Sequence, residues 1–252
     1  MFDFSDQVVW VTGSSTGIGR SIALAFAENA ASLVIHGNTN IHKAEEVLQE
    51  VRQKGREAIL VTGDVTDRTA VKQMVSDIKK HFKRIDILIN NAGTMVKRSK
   101  IEDLDFETWH SIMDINLNSV FHVTQSVLPM MKQQKSGKII NLTSIAARNG
   151  GGGGAVSYAA AKGAVSTFTR GLAKELVSDN IYVNGIAPGI ITTPFHDKYS
   201  TKEMREKMVS QVPIKREGKP EEIAGAALYL ASDYANYMVG EILEVNGGLL
   251  TD

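Results

Sequence analysis

Tyr158 and Lys162 stand four residues apart in Tyr-Ala-Ala-Ala-Lys, a spacing that on a helix puts a phenol and an ammonium on one face. A phenol with its ordinary pKa of about 10 is a poor base near neutrality, and a neighbouring cation favours the phenolate. Lowering it by three units takes about 4 kcal/mol, which a lysine and the positive ring of a bound nicotinamide could supply in a partly dry site. A Tyr-x3-Lys pair alone is usually ordinary helix surface, so its company decides its meaning. Ser144 lies fourteen residues before Tyr158, at the end of a predicted strand. There its hydroxyl could bond a substrate carbonyl and stabilise developing oxyanion charge. Asn116, in Asp-Ile-Asn-Leu, could interrupt its helix by side-chain to backbone bonding and hold a water near Lys162. Ser144 and Asn116 each also read as a cap or turn residue.

A second set of residues reads as a dinucleotide cradle. The first predicted strand runs into Thr12-Gly13-Ser14-Ser15-Thr16-Gly17-Ile18-Gly19 and then a helix. Glycines there admit a tight turn and close backbone approach, and the helix N-terminus favours a pyrophosphate. The spacing is Gly-x3-Gly-x-Gly, and the flanking strand and helix are the context such a turn requires. Asp64-Val65 closes the third strand, where the carboxylate either accepts from an adenine amino group or caps the next helix. Asn91-Ala92-Gly93 follows Asn90 at the end of the fourth strand, with small residues suited to passing close to a cofactor. Pro188-Gly189, with Ile191 and Thr193 beyond, follows the sixth strand and could position a carboxamide.

The elements that must position these residues follow from periodicity. Strands are expected at 7–12, 32–37, 57–63, 85–90, 137–143, 181–187 and 241–245, with helices at 17–29, 41–54, 67–82, 101–134, 156–178, 201–210 and 220–231. That alternation predicts an α/β fold: a doubly wound, Rossmann-type parallel sheet of about seven strands with helices on both faces. The near-continuous apolar run at 85–89 suits a strand covered on both faces. No linker or repeat divides the chain, so a single domain is expected over 1–252. The five glycines Gly150–Gly154 fall between a predicted strand and helix and read as an active-site loop rather than a linker.

Composition narrows the function classes. Lys plus Arg and Asp plus Glu both total 28, a net charge of zero, which gives no basic footprint for nucleic acid. The chain has no cysteine, which removes disulfides, thiolate metal sites and thiol nucleophiles, and the six histidines form no metal-spaced pair, so no metal is expected. No apolar run reaches the roughly 18 residues of a membrane span, and Met1–Asp6 lacks a basic region before an apolar one. A cytoplasmic protein is the expectation.

Over essentially its whole length the sequence resembles the short-chain dehydrogenase/reductase family. The motifs that carry the resemblance are Thr-Gly-x3-Gly-Ile-Gly, Asn-Asn-Ala-Gly, the lone Asn116, Ser144, Tyr-x3-Lys, Pro-Gly-x-Ile-x-Thr and the ending Gly240 to Gly248, in order and in register. The resemblance implies hydride transfer between a nicotinamide cofactor and a carbonyl/secondary-alcohol pair. It makes Tyr158 the general acid/base, Lys162 the group that lowers its pKa and binds the nicotinamide ribose, Ser144 the orienter of the carbonyl, and Asn116 the keeper of a proton-relay water. It also implies a homotetramer, with the helices near 116–134 and 156–178 packing across a two-fold axis, where Ala159, Ala160, Gly163 and Ala164 permit close approach.

By overall similarity the 3-oxoacyl-acyl-carrier-protein reductases are the nearest branch, and that branch docks an acidic carrier protein through two arginines. Pro129 and Asp179 occupy the matching positions here, so a small diffusible carbonyl compound, sugar or polyol is the expected substrate and the acyl reductase is the alternative. A non-catalytic dinucleotide sensor is a further reading, which the intact Tyr158 and Lys162 disfavour. The second strand ends His36-Gly37-Asn38-Thr39-Asn40, with no acid to bind a ribose 2′-hydroxyl, so NADP is favoured over NAD. Ser15, Asn38, His42 or Lys43 could contact a 2′-phosphate. A substrate lid is expected over about 194–219, with Phe195, His196, Tyr199, Met204 and Met208 as candidate contacts and Met95, Val96 and Arg148 lining from other loops. A lone loop histidine such as His196 is expected to be solvated.

Overall fold

The computed structural model describes residues 2–251. Met1 and Asp252, the two ends of the expected domain, lie outside the described residues. The first half of the chain builds β1 (Val8–Val11), α1 (Gly17–Glu28), β2 (Ser32–Gly37), α2 (Ile41–Gln53), β3 (Ala58–Thr62), α3 (Arg68–Phe82) and β4 (Ile87–Asn90). After it come α4 (Phe106–Met113), α5 (Ser119–Gln134), β5 (Gly137–Leu142), the short α6 (Ala146–Asn149), α7 (Val156–Leu176) and β6 (Ile181–Pro188). The chain closes with α8 (Pro194–Tyr199), α9 (Lys202–Gln211), α10 (Pro220–Ala231) and β7 (Ile242–Val245).

The seven strands form one sheet in the order β3-β2-β1-β4-β5-β6-β7, parallel throughout. Both faces are covered, as the apolar strands predict: Val9, Val11, Leu33 and Ile35 pack with α1, α2 and α10, while Val8, Trp10, Val34 and Leu88 pack with α3, α5 and α7. The order reverses beside β1, where the chain leaves outward to β2 and β3 and returns on the other side as β4. Such a switch point opens a crevice at the carboxyl ends of the strands.

The expected continuous helix over 101–134 is broken. A 3₁₀ turn at Ile101–Asp103 precedes α4, and a π-helical turn at Asp114–Asn118 separates α4 from α5. Asn116 causes the π turn: its Nδ2 donates to the Ile112 carbonyl, the acceptor its own backbone N–H would take in an α-helix. The cap of α3 also differs from the Asp64 alternative. Asp67 accepts from Thr69 N–H at 2.7 Å, which leaves Asp64 free of that duty.

Candidate functional site

One cleft of about 1160 Å³ runs along the carboxyl ends of the strands. Of the residues assigned above to the dinucleotide, Gly13, Ser15, Thr16, Gly17, Ile18, Gly19, Asn38, Asp64, Val65, Asn91, Ala92, Gly93, Tyr158, Lys162, Pro188, Gly189, Ile191 and Thr193 line it. Three of the glycine-loop residues, Gly151, Gly152 and Gly153, line it as well, which makes that run a cleft wall and not a linker.

The turn after β1 is close-packed. A Cβ at Gly19 would collide with the Gly13 carbonyl and Asn91 Nδ2, so the turn closes only with glycine there. His36, which sequence reasoning passed over, fixes the turn's outer side. Its Nδ1 accepts from Gly13 N–H at 2.8 Å and its Nε2 lies 3.0 Å from the Gly63 carbonyl, so the ring carries its proton on Nε2 and ties β1, β2 and β3 together. Burial pushes its pKa below the ordinary value, against the raising influence of the Gly63 carbonyl and Asp64. A second proton would remove the acceptor that holds Gly13. Because the folded pKa is depressed, the stability that neutral His36 gives is present above the unfolded value near 6.5 and falls as pH drops from there toward the folded pKa. His36→Ala is expected to raise the KM for dinucleotide about tenfold with a smaller change in kcat, and His36→Asn, which can accept and donate at once, to recover part of the loss. Steady-state titration of the cofactor measures both.

At the end of β3, burial disfavours the Asp64 carboxylate, but bonds from the Thr66 N–H and hydroxyl and from Asn38 hold its pKa below the ordinary value. His42 pairs with Glu46 at 3.1 Å. Neither His42 nor Lys43 lines the cleft, so of the four expected contacts for a 2′-phosphate only Ser15 and Asn38 are in place.

The turn after β4 is held by Thr12, whose Oγ1 accepts from the Asn91 and Ala92 N–H groups at 3.0 Å each. Beneath it a buried ladder runs from Asn90 Nδ2 to Asn141 Oδ1 at 2.8 Å and from Asn141 Nδ2 to Thr169 Oγ1 at 2.9 Å. Gly93 brings the next layer together, since a Cβ there would stand 2.8 Å from Asn116 Oδ1 and 3.1 Å from Lys162 Nζ. Asn116 itself is fully buried and does not line the cleft. Its amide is committed, donating to the Thr94 carbonyl at 2.7 Å and the Ile112 carbonyl at 2.8 Å and accepting from Thr94 N–H at 3.1 Å. It therefore stands behind the wall and braces the loop in front of Lys162.

Tyr158 and Lys162 sit on the first turns of α7, and Ser144, two residues beyond β5, stands by the Tyr158 hydroxyl on the same cleft wall. The Lys162 ammonium lies 5.9 Å from the Tyr158 ring centre and donates to the Leu142 carbonyl at 2.8 Å. Among the described residues that carbonyl is its only hydrogen-bond acceptor, so two of its N–H groups remain for a ligand in the cleft. Burial pushes Lys162 down to about 8. It pushes the Tyr158 phenol up to about 12, the Ser144 hydroxyl pulling weakly the other way. The expected lowering of the phenol is thus reversed in the protein alone: desolvation exceeds what Lys162 offers from its place beside the ring. The cleft's size, its glycine cradle and this under-coordinated buried ammonium fit a nicotinamide dinucleotide.

The expected lid is a pair of helices, α8 and α9. Phe195 packs against Tyr158 (5.8 Å between ring centres) and against Tyr199 (5.1 Å), and the Tyr199 hydroxyl lies 2.8 Å from Thr94 Oγ1. Met204 and Met208 line the cleft from α9, and Met95 and Val96 from the loop after β4. His196 is buried rather than solvated, with Nδ1 3.2 Å from Ser200 Oγ. Arg148 does not line the cleft and pairs with Glu244.

Residues 13–250 match a family model described as Enoyl-(Acyl carrier protein) reductase. A 3-oxoacyl-acyl-carrier-protein reductase from Staphylococcus epidermidis is 39% identical over 239 residues, 95% of this chain and 97% of that one. The protein of the same name from Synechocystis sp. is 39% identical over 249 residues, 97% of both. Among solved structures, a putative NAD(P) dependent gluconate 5-dehydrogenase from Beutenbergia cavernae, with bound NADP at low occupancy, superposes with a TM-score of 0.93 at 31% identity, covering 100% of this chain and 99% of that one. A 7α-hydroxysteroid dehydrogenase complexed with NADH and 7-oxo glycochenodeoxycholic acid gives 0.93 at 34% identity, covering 98% and 95%.

Proposed function

The chain belongs to the short-chain dehydrogenase/reductase family and is an NAD(P)-dependent oxidoreductase acting on CH–OH donors, and from there we propose that it uses NADP(H) on a small diffusible ketone, sugar or polyol. The observation that carries the site assignment is the convergence of Ser144, Tyr158 and Lys162 at the wall of a cleft sized for a dinucleotide. A nicotinamide held in this cleft would supply or accept the hydride. In reduction the Tyr158 hydroxyl gives its proton to the carbonyl oxygen while the Ser144 hydroxyl bonds that oxygen and holds it in register. Lys162, with two N–H groups uncommitted, would hold the ribose of the nicotinamide, and its charge favours the tyrosinate as the proton leaves. Asn116 is a positioning residue that keeps Thr94 and Gly93 against Lys162.

The NADP(H) preference rests on the end of β2, where Asn38 lines the cleft and no acid repels a 2′-phosphate. Asn38→Asp is expected to lower the ratio of kcat/KM for NADPH over NADH at least tenfold, a change of about 1.4 kcal/mol. A ratio unchanged by the substitution would remove Asn38 from the specificity site.

The two acyl-carrier-protein reductases among the relatives support a second reading, in which the substrate is a carrier-bound 3-oxoacyl thioester. Against it, Pro129 lies within α5, and Asp179, tied to Lys132 at 2.9 Å, puts an acid where an acidic carrier would dock. Reduction of diketones and keto sugars with NADPH, and little of an acyl-carrier acetoacetyl thioester, is the expected result. Efficient turnover of the carrier thioester alone would establish the second reading. We also propose a homotetramer, consistent with the exposed Phe106 on α4 and Phe121 on α5. Sedimentation giving a stable monomer at micromolar concentration would contradict it.

A further inference from the structure

Arg98, in the loop after β4, lines the cleft, and nothing above uses it. Its Nε donates to the Tyr199 carbonyl at 2.6 Å and its Nη1 to the Gly153 carbonyl at 3.0 Å, so it joins the lid to the glycine loop. Those bonds take two of five N–H groups. Among the described residues no carboxylate lies within ion-pair distance of it, and burial disfavours its charged form. A partly desolvated guanidinium bonded only to carbonyls gains most from an arriving anion.

The charges of the lid are sorted about the same point. Arg205 takes Asp197 and Glu217 at 2.6 Å each, and neither acid lines the cleft. Lys198 and Lys207, from the same two helices, do line it. The acids on the cleft wall are elsewhere: Asp64 at the end of β3, and Asp114, which accepts from Asn118 Nδ2 at 2.6 Å. The lid end is therefore cationic, and Arg98 is two ring contacts from Tyr158 by way of Tyr199 and Phe195.

We propose that the substrate carries an anionic group, a carboxylate or a phosphate, a few bonds from its reacting carbonyl, and that Arg98 receives it while Lys198 and Lys207 add to the attraction. The proposal rests on the oxidoreductase reading above. A plain strap between lid and loop is the competing role for Arg98, and the two roles differ in selectivity.

The test is kcat/KM with NADPH for three matched pairs: acetoacetate and ethyl acetoacetate, levulinate and ethyl levulinate, dihydroxyacetone phosphate and dihydroxyacetone. In at least one pair the wild type is expected to prefer the anion about tenfold or more, and which pair shows it separates carboxylate from phosphate. In Arg98→Met that preference falls to about one, whatever happens to the overall rate, and Arg98→Lys restores part of it. Lys198→Met and Lys207→Met each reduce the preference by a smaller factor. Equal or better use of the neutral member in all three pairs overturns the proposal, as does an Arg98→Met variant that slows both members alike. Reduction of none of the six compounds with either cofactor would instead overturn the small-ketone reading on which this inference rests, and the inference with it.

Discussion

Tyr158→Phe is expected to lower kcat for carbonyl reduction about a thousandfold while the dissociation constant for NADPH changes by less than about threefold. The substitution removes one oxygen. The ring still packs against Phe195, and Lys162 keeps its bond to the Leu142 carbonyl, so the cradle is undisturbed. The pH dependence follows from burial. With its pKa pushed up to about 12, the phenol of the protein alone is protonated at every physiological pH and stands as a proton donor, the form that reduction needs. Alcohol oxidation needs the tyrosinate, so its rate is expected to climb toward alkaline pH where that of reduction does not. Rapid-mixing kinetics in both directions, with fluorescence titration of the cofactor, checks the set. A variant with near-wild-type turnover would show that another group moves the proton.

Lys162→Met is expected to cut kcat/KM at least a hundredfold and yet raise the thermal midpoint of the cofactor-free protein at neutral pH. Burial depresses the folded pKa of this lysine to about 8, below its unfolded value near 10.4. A depressed lysine pKa means that the unfolded chain binds the proton more tightly. The penalty is therefore full below pH 8, on the order of 3 kcal/mol, and disappears as pH rises from 8 to above 10. Methionine fills similar volume without the charge, so the gain in midpoint is largest at pH 7 and shrinks toward pH 10. The stability given up at this position is what leaves a charged donor, with two free N–H groups, inside the cleft. A midpoint that falls at neutral pH would show that Lys162 is a structural prop instead.

How much of this was legible in the sequence depends on how local each cause is. The strands and most helices were, because alternation and apolar runs report burial on one or both faces, and the residues assigned to the dinucleotide line the cleft except His42 and Lys43. The break at Asn116 was foreseen as side-chain bonding to the backbone, but apolar spacing carried the helix through it, and the partner that buries Asn116, Thr94, lies 22 residues away. Asp64 and Asp67 were indistinguishable as caps until the turn geometry chose Asp67. The raised pKa of Tyr158 in the protein alone leaves no trace in the sequence, because charge proximity can be seen in Tyr-x3-Lys and desolvation cannot. His36 and Arg98 left no local signal at all: one acts through Gly13 and Gly63, the other through Tyr199 and Gly153. A histidine closing the second strand, directly before the turn that lacks an acid, was the one hint available for the first of them.

The most direct test of the central claim is transfer of deuterium from NADPH labelled at the reactive nicotinamide position to a panel of small carbonyl compounds, followed by mass spectrometry of the alcohols. The account predicts one deuterium at the carbinol carbon with the wild type and about a thousandfold slower labelling with Tyr158→Phe. Tight NADPH binding with no label in any product would contradict it and make the cleft a sensor of dinucleotide.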